Sequence, residues 1–528
     1  MKAFGIRNLR SIADTGPVEL RPLTILVGKN SSGKSTFLRA LPLLRQSVEV
    51  RTTGPILWYG DYVDFGSFED SIRQNKEAEA ISFSFGFDAI PATNLEYHRY
   101  RFHPPPAPLL SDLAVNAEIS IKKDTNGTTY VSSCLLSFWS DTIQIQFSPA
   151  GRITGFDVNG DNLTSATSDL TLLPSARVLP VFGRKATPRL KQRQIFFYSP
   201  APILYPAIES HLKANFFHPL TRETTIRAVA SRMFLGRPND MLTQLQEIPL
   251  GGKTFRRRIQ GTTVSDPRFA TLRNMLLAMH SAEILDHLDD VLAEFAAGIR
   301  YIAPVRATAE RYYRAQDLAV NEIDFQGKNL AMFLRSLSSA DQDSLSNWTK
   351  KHLSFSVETV GERGHVSLSL RETQEQSYYN LADIGFGFSQ VLPIVVQLWS
   401  MLGRERRVGP TQRWTPPATE SRLFAVEQPE LHLHPSFQAS LADTFAAAVS
   451  EAASQSKPIT ILIETHSQTL VNRIGSLVAQ QRLRPKDVQV ILFEKGTGDD
   501  FSSVRTAHYD ERGYLTNWPY GFFEPQGQ

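Results

Sequence analysis

A single cysteine, Cys134, stands in 528 residues. No internal disulfide and no cysteine-based zinc site can be built from it. No apolar run reaches the length of about 18 residues that would cross a bilayer, so no membrane partner is expected. Charge of one sign is scarce as well. Lys+Arg number 56 and Asp+Glu 53, leaving +3, too little to argue by itself for a nucleic-acid partner. There are no internal repeats, no sustained heptads and no long low-complexity segment, which argues against a solenoid or a coiled-coil arm. The stretch Met1-Lys2-Ala3-Phe4-Gly5-Ile6-Arg7 reads directly as a strand, without the layout of a signal peptide, and a cytoplasmic location is expected. What remains is ordinary for a globular protein, 41% apolar and 21% charged, with length for two or three domains.

The most informative segment is Gly28-Lys29-Asn30-Ser31-Ser32-Gly33-Lys34-Ser35. It fits the phosphate-loop pattern G-x-x-x-x-G-K-[S/T]. The apolar run Thr24-Ile25-Leu26-Val27 before it reads as a buried strand, and Thr36 to Leu44 after it reads as the start of a helix. Two glycines permit a tight loop whose N–H groups, at the positive end of that helix, surround phosphate oxygens. Lys34 can reach the β- and γ-phosphates, and Ser35 can ligate Mg²⁺. Asn30, Ser31, Ser32, Gly33, Lys34, Ser35 and Thr36 are therefore expected to bind ATP.

Pattern changes divide the chain. Residues 1–48 hold strands and the phosphate loop. Ile81–Phe87 and Thr142–Phe147 alternate with period two, and Thr125-Asn126-Gly127-Thr128 is a hairpin turn. The prolines at 104–108 mark a loop. From about 200 to 352 the pattern is mainly helical, clearest from Asp266 to Gly298, where Leu272, Leu276, Leu285, Leu288 and Leu292 keep helical spacing. After about 353 strands return and close in β–α–β units, with residues 410–420 read as an exposed loop.

Those last units carry the remaining chemistry. Arg422–Glu427 is an apolar strand ending in a carboxylate, the form of an ATPase motif whose acid holds Mg²⁺ through water. It continues as Gln428-Pro429-Glu430-Leu431-His432-Leu433-His434-Pro435. A second buried strand, Ile459–Ile463, leads into Glu464-Thr465-His466-Ser467, at the sheet edge where open α/β folds bind ligands. Asp383-Ile384-Gly385-Phe386-Gly387-Phe388-Ser389 offers glycines and a serine ahead of a helix, a second phosphate cradle.

Together these features resemble an ABC-type ATPase head of the SMC, RecF and OLD-like group, and within it the bacterial OLD-like and Septu-type (PtuA) defence ATPases and allied AAA-family ATPases. Family-like residues also include Ile6–Ser11, Asp64–Glu69, Tyr301-Ile302-Ala303-Pro304-Val305-Arg306 and the terminal Trp518-Pro519-Tyr520-Gly521-Phe522-Phe523. The resemblance implies an α/β fold, an ABC-type head with a P-loop sheet, an antiparallel β subdomain and a mainly helical insertion. It implies an N-terminal ATPase lobe over 1–160, the insertion over 161–352 and a C-terminal lobe over 353–528. Two protomers would trap ATP and Mg²⁺ between facing heads, as a homodimer or higher homo-oligomer. Gly385, Gly387 and Ser389 would contact the partner's nucleotide, His466 would sense the γ-phosphate, and Ser35 with Glu427 would serve the metal. The implied role is an ATPase acting as the sensor or regulatory subunit of an anti-phage defence system with a separate effector, a nuclease or toxin. The alternative is a RecF- or SMC-like ATPase of DNA repair or chromosome maintenance.

One departure bears on catalysis. ABC heads usually carry Asp-Glu where this chain has Glu427-Gln428. An amide cannot accept water's proton, although it can orient water as glutamine does in some GTPases. Glu430 is the other residue able to serve as base. Slow hydrolysis is expected, since loss of a base is worth roughly 10²–10⁴ in rate. Several residues keep two readings. Scattered acids near the end (Glu494, Asp499, Asp500, Asp510, Glu511) suit a solvated face better than a hidden nuclease. His432 and His434 suit dimer contacts better than a metal. Arg184–Arg193 and Lys253–Arg258 can contact nucleic-acid phosphates or simply face solvent. Arg306 and Arg10 either touch nucleotide or brace the fold.

Overall fold

The computed structural model describes residues 1–74, 79–88, 114–173, 178–184, 201–317, 320–362, 364–372, 377–403, 422–495, 502–519 and 522. The proline-rich loop at 104–108, residues 185–193, the loop at 410–420, Asp499, Asp500, Tyr520, Gly521 and Phe523 lie outside them. The chain forms two compact units, one of Met1–Ile6, Val50–Leu57 and Asn75–Ala293, the other of Arg7–Glu49, Trp58–Gln74 and Glu294–Gln528. The fold is mixed α/β with a large central sheet.

The first unit is an antiparallel ladder with helices. Ile81–Phe87, Val115–Lys123, Thr129–Phe138, Asp141–Phe147 and Ile153–Val158 pair in chain order. Asp141–Phe147 alternates strictly between buried and exposed residues, as a half-buried strand must. Ile81–Phe87 does not: it is buried on both faces. Phe83 and Phe85 pack on Phe4, and on the other face Ser82 exchanges a hydroxyl hydrogen bond with Ser120 at 2.9 Å. The hairpin turn forms where Asp124 Oδ1 accepts the N–H groups of Asn126 and Thr128, with Gly127 at φ 89°. Helices Ala201–Asn215, Glu223–Ala230, Pro238–Glu247 and Gly252–Gln260 lead to the long helix Pro267–Ala297. Its apolar face is buried as its spacing requires, but it also carries buried Arg273 and Asn274. Arg273 grips the Asp141 carboxylate with both terminal nitrogens, one at 2.6 Å. Asn274 donates to Asp161 at 2.7 Å and accepts from Asn159 at 2.8 Å.

The second unit is built on parallel strands. Across the sheet the order is Val488–Lys495, Leu23–Gly28, Ile459–Glu464, Arg422–Glu427 and Ile299–Ile302. Leu23–Gly28 is buried throughout, the continuous apolar run of a strand covered on both faces. Helices Lys34–Glu49, Phe386–Gly403, Pro435–Ser454 and Gln468–Ala479 supply the cover. Each fully buried Leu, Ile or Phe contributes roughly 1.5–3 kcal/mol over its exposed state. The edge strand Ile299–Ile302 lies inside the stretch whose pattern is mainly helical. Four residues are too few to show a period, and the strand is held by tertiary partners: Arg45 donates to Ile299 O at 2.7 Å and pairs with Glu322 at 2.6 Å. A small antiparallel sheet, Phe355–Glu362 with His365–Glu372, Tyr313–Arg314 and Tyr379–Asn380, completes the unit. Among the described residues no helix is long and apolar enough to cross a membrane.

A candidate nucleotide site at the carboxyl edge of the parallel sheet

The phosphate loop leaves the sheet at Gly28. A Cβ there would meet Phe493 O at 2.3 Å and Ser32 Oγ at 2.7 Å, so only glycine fits. Gly33 adopts φ 99°, and a Cβ would meet Ile12 Cγ1 at 2.8 Å. The helix begins at Lys34, two residues ahead of the expected start. Asn30 and Ser31 are exposed at the loop tip, Ser32 and Gly33 are buried, and Ser35 and Thr36 are half-buried in the first turn. Among the described residues Ser32 Oγ is a buried hydroxyl with no hydrogen-bond partner. Lys34 folds back on its own loop, donating from Nζ to Gly28 O at 3.0 Å and Lys29 O at 2.8 Å. Burial lowers its pKa, while Glu464 and Glu430 oppose that shift.

Two carboxylates end neighbouring strands in register, Glu427 beside Glu464. Both are about 2% exposed, yet their partners differ. Glu427 is saturated. Arg39 donates to it through Nε at 2.7 Å and Nη2 at 2.8 Å, and the Tyr301 hydroxyl adds a third bond at 2.6 Å. The hydrogen bond to Glu427 raises the Arg39 pKa, and burial raises that of Tyr301. Glu464 accepts one bond from a side chain, from the Ser35 hydroxyl at 2.7 Å. Its second oxygen is buried without a partner among the described residues. Burial, reinforced by the Glu427 charge, pushes its pKa up to about 7.

The turn after Glu427 is held tightly. Gln428 takes φ 42° and donates its N–H to Glu464 O at 2.8 Å, a left-handed conformation that costs a side-chain-bearing residue about 1–3 kcal/mol. Arg306 is buried and donates to Glu427 O at 2.7 Å. Burial pushes its pKa down to about 10. Arg306 thus braces the motif from behind, while its Nε and Nη1 have no partner among the described residues. Glu430 accepts the His466 N–H at 2.8 Å, and burial raises its pKa. His466 is exposed, and its pKa is lowered by burial of the ring and then by Lys34. Arg10 stacks over Phe65 at 4.3 Å and donates to Asp64 O at 3.2 Å, a bracing arrangement.

The structure therefore brings Lys34, Ser35, Glu430, Glu464 and His466 to one edge, with Glu427 beside them. Gly385, Gly387 and Ser389 lie at the start of helix Phe386–Gly403. Gly385 is exposed, and a Cβ there would meet nothing within 4 Å. Gly387 faces Leu433 and the His432 carbonyl. Ser389 is buried within its own chain and lines a small cavity of ≈ 80 Å³ with Tyr313, Lys328 and Pro393.

Other open readings narrow. His434 caps helix Pro435–Ser454 through Ser436, and no cluster of three metal-ligating side chains exists among the described residues. Arg258 donates to Asn215 O and Phe217 O, and Arg256 to Pro249 O, so two cations of that basic run serve the fold. Glu494 pairs with Arg505 and Asp510 caps a turn. Arg39 stood in no motif, while Tyr301 and Glu464 stood inside quoted segments without a site role of their own. A usable signal existed for Glu464: a carboxylate closing an otherwise apolar, buried strand.

Residues 1–124 match a family profile described as "AAA ATPase domain". Residues 266–472 match one described as "AAA domain, putative AbiEii toxin, Type IV TA system". No curated protein matches the chain. Solved structures similar to it include an SMC head bound to the C-terminal winged-helix domain of ScpA, with TM-score 0.33, 10% identity and 96% of both chains covered. The SMC head domain from Thermotoga maritima gives TM-score 0.31 and 9% identity over 96% of this chain and 97% of that one. The first matched segment holds Lys34 and Ser35, and the second holds Glu427, Glu430, Glu464 and His466.

Proposed function

We propose that this chain is an ABC-type ATPase, allied to the OLD-like and Septu-type defence ATPases, that acts as the ATP-gated sensor or regulatory subunit of a bacterial anti-phage system with a separate effector such as a nuclease. A cytoplasmic location goes with that reading. The carrying observation is the convergence of Lys34, Ser35, Glu430, Glu464 and His466 beside a phosphate loop. A profile description that names a toxin–antitoxin system sits more easily with conflict or defence than with housekeeping repair.

The chemistry follows from the side chains. Loop N–H groups bind the phosphates, and Lys34 exchanges its two carbonyl partners for phosphate oxygens. The Ser35 hydroxyl and a strand-end carboxylate beside it are hard oxygen donors that suit magnesium, which when bound would neutralise phosphate charge and polarise the γ-phosphoryl group. Water attacks the γ-phosphorus, its proton passes to a base, and ADP leaves. We assign the base to Glu430, a carboxylate at this edge that accepts the His466 N–H and whose proton affinity burial raises, as a general base requires. Gln428 contributes no proton acceptor, so turnover is slow and the ATP-bound state lasts long enough to signal. His466, beside Glu430, senses the γ-phosphate. Gly385 and Gly387 close on a partner's nucleotide in a homodimer.

Lys34→Ala tests the core of this reading. It should abolish ATP binding and, in a host carrying the chain with its neighbouring genes, abolish protection in a phage plating assay. Unaltered ATP affinity in that variant removes the phosphate-loop assignment. Wild-type cells that gain no protection but become sensitive to DNA damage on deletion place the chain in repair instead. Gly385→Glu is the matching test of assembly. Its side chain enters open space, so the fold should survive while ATP-dependent association, followed by light scattering, is lost.

A further inference from the structure

We propose that Glu464, and not Glu427, is the protein carboxylate that faces the magnesium ion of the bound nucleotide. This rests on the reading of Lys34 and Ser35 as a nucleotide site.

Strand order is the first ground. The strand Ile459–Glu464 is the direct neighbour of the phosphate-loop strand Leu23–Gly28, in register Glu464 to Leu26. The strand ending in Glu427 is one place further. Two strand spacings separate it from the phosphate-loop strand, roughly 9–10 Å. The second ground is contact. The Ser35 hydroxyl, the metal-binding group of the phosphate-loop pattern, already touches Glu464 Oε1 at 2.7 Å. A cation entering at Ser35 meets this carboxylate first.

The third ground is acceptor capacity. Glu427 receives three donors and shares the charge of Arg39 in a bidentate pair. Recruiting it to a metal means breaking a charge-assisted pair with little access to water, a costly exchange. Glu464 has a buried oxygen without a partner among the described residues, and a buried acceptor left unsatisfied is destabilising. Ser32 Oγ, also buried and unpartnered, belongs to the same loop. Magnesium takes one or two carboxylates together with phosphate oxygens and water, and Glu464 with Ser35 in contact supplies one carboxylate and one hydroxyl. Glu427 is then a positioning residue, a fixed anion that holds Arg39 and Tyr301 in place at the strand end.

The test uses the full chain, a fluorescent ADP analogue and Mn²⁺, with bound Mn²⁺ read by electron paramagnetic resonance. Wild type should bind nucleotide without metal and more tightly with it. Glu464→Gln should keep the metal-free affinity and lose on the order of 10–100-fold in Mn²⁺ affinity, the range seen when a carboxylate supporting a metal site is removed. Tyr301→Phe loosens Glu427 and should leave Mn²⁺ affinity unchanged. It carries the test if Glu464→Gln fails to fold. Full Mn²⁺ affinity in Glu464→Gln, or altered Mn²⁺ affinity in Tyr301→Phe, overturns the assignment while leaving the nucleotide site standing. A wild-type chain that binds no nucleotide, or binds it with no metal dependence, overturns both.

Discussion

Two buried acids, one in each unit, are held in opposite ways. Asp141 accepts both arms of Arg273 and the Asn159 amide at 3.0 Å, all within the sheet-and-helix unit. Glu464 accepts one side-chain bond, from Ser35, and keeps an oxygen without a partner. Both are nearly inaccessible to water. A saturated buried carboxylate clamps elements together, and its removal leaves an uncompensated charge. A buried carboxylate with an open acceptor, beside a phosphate loop, is a place for a ligand. Glu427 has the first character although it stands next to Glu464 in register. Burial alone does not mark a site. The balance of donors against acceptors does.

The largest expected effect tests the clamp. Arg273→Ala should destabilise the protein by about 3–5 kcal/mol, the usual cost of stripping one partner from a buried ion pair, while the folded fraction binds nucleotide as wild type does. Urea unfolding with parallel nucleotide titration reads both. A loss below 1 kcal/mol would place Asp141 and Arg273 outside the stabilising class.

The next effect is on chemistry and should spare stability. Glu430→Gln should lower steady-state hydrolysis by roughly 10²-fold or more, about 3 kcal/mol in barrier, with ATP affinity kept. Turnover that survives this change would mean that Gln428 positions water adequately or that the base lies elsewhere. The smallest effect sharpens the contrast within the site. Tyr301→Phe removes one of three donors to Glu427 and should cost about 1 kcal/mol of stability. A thermal melt identical to wild type would show that Arg39 alone satisfies Glu427.

Ser389, expected at a dimer face, is buried in its own chain, so a bulky substitution there would test packing as much as assembly. Gly385 is exposed and open, and reports on the face directly.

Much of the site was legible in the chain. The phosphate loop, its strand and its helix follow from local pattern, because glycine spacing and apolar periodicity act over a few residues. The strands ending at Glu427 and Glu464, the long helix from Pro267 and the hairpin at Gly127 were legible for the same reason. The edge strand Ile299–Ile302 was not, being too short to carry a period and stabilised by Arg45 and by the neighbouring strand.

What tertiary structure alone decided is which acid meets which partner. Glu427 and Glu464 have nearly the same local signature, an apolar strand closed by a carboxylate. Their fates differ because Leu23–Gly28 inserts beside Ile459–Glu464, through a crossover spanning most of the chain. Ser35 then reaches Glu464, while Arg39 and Tyr301 close on Glu427. Strand order is set by the pairing and burial energy of segments hundreds of residues apart, and local propensity holds no record of it.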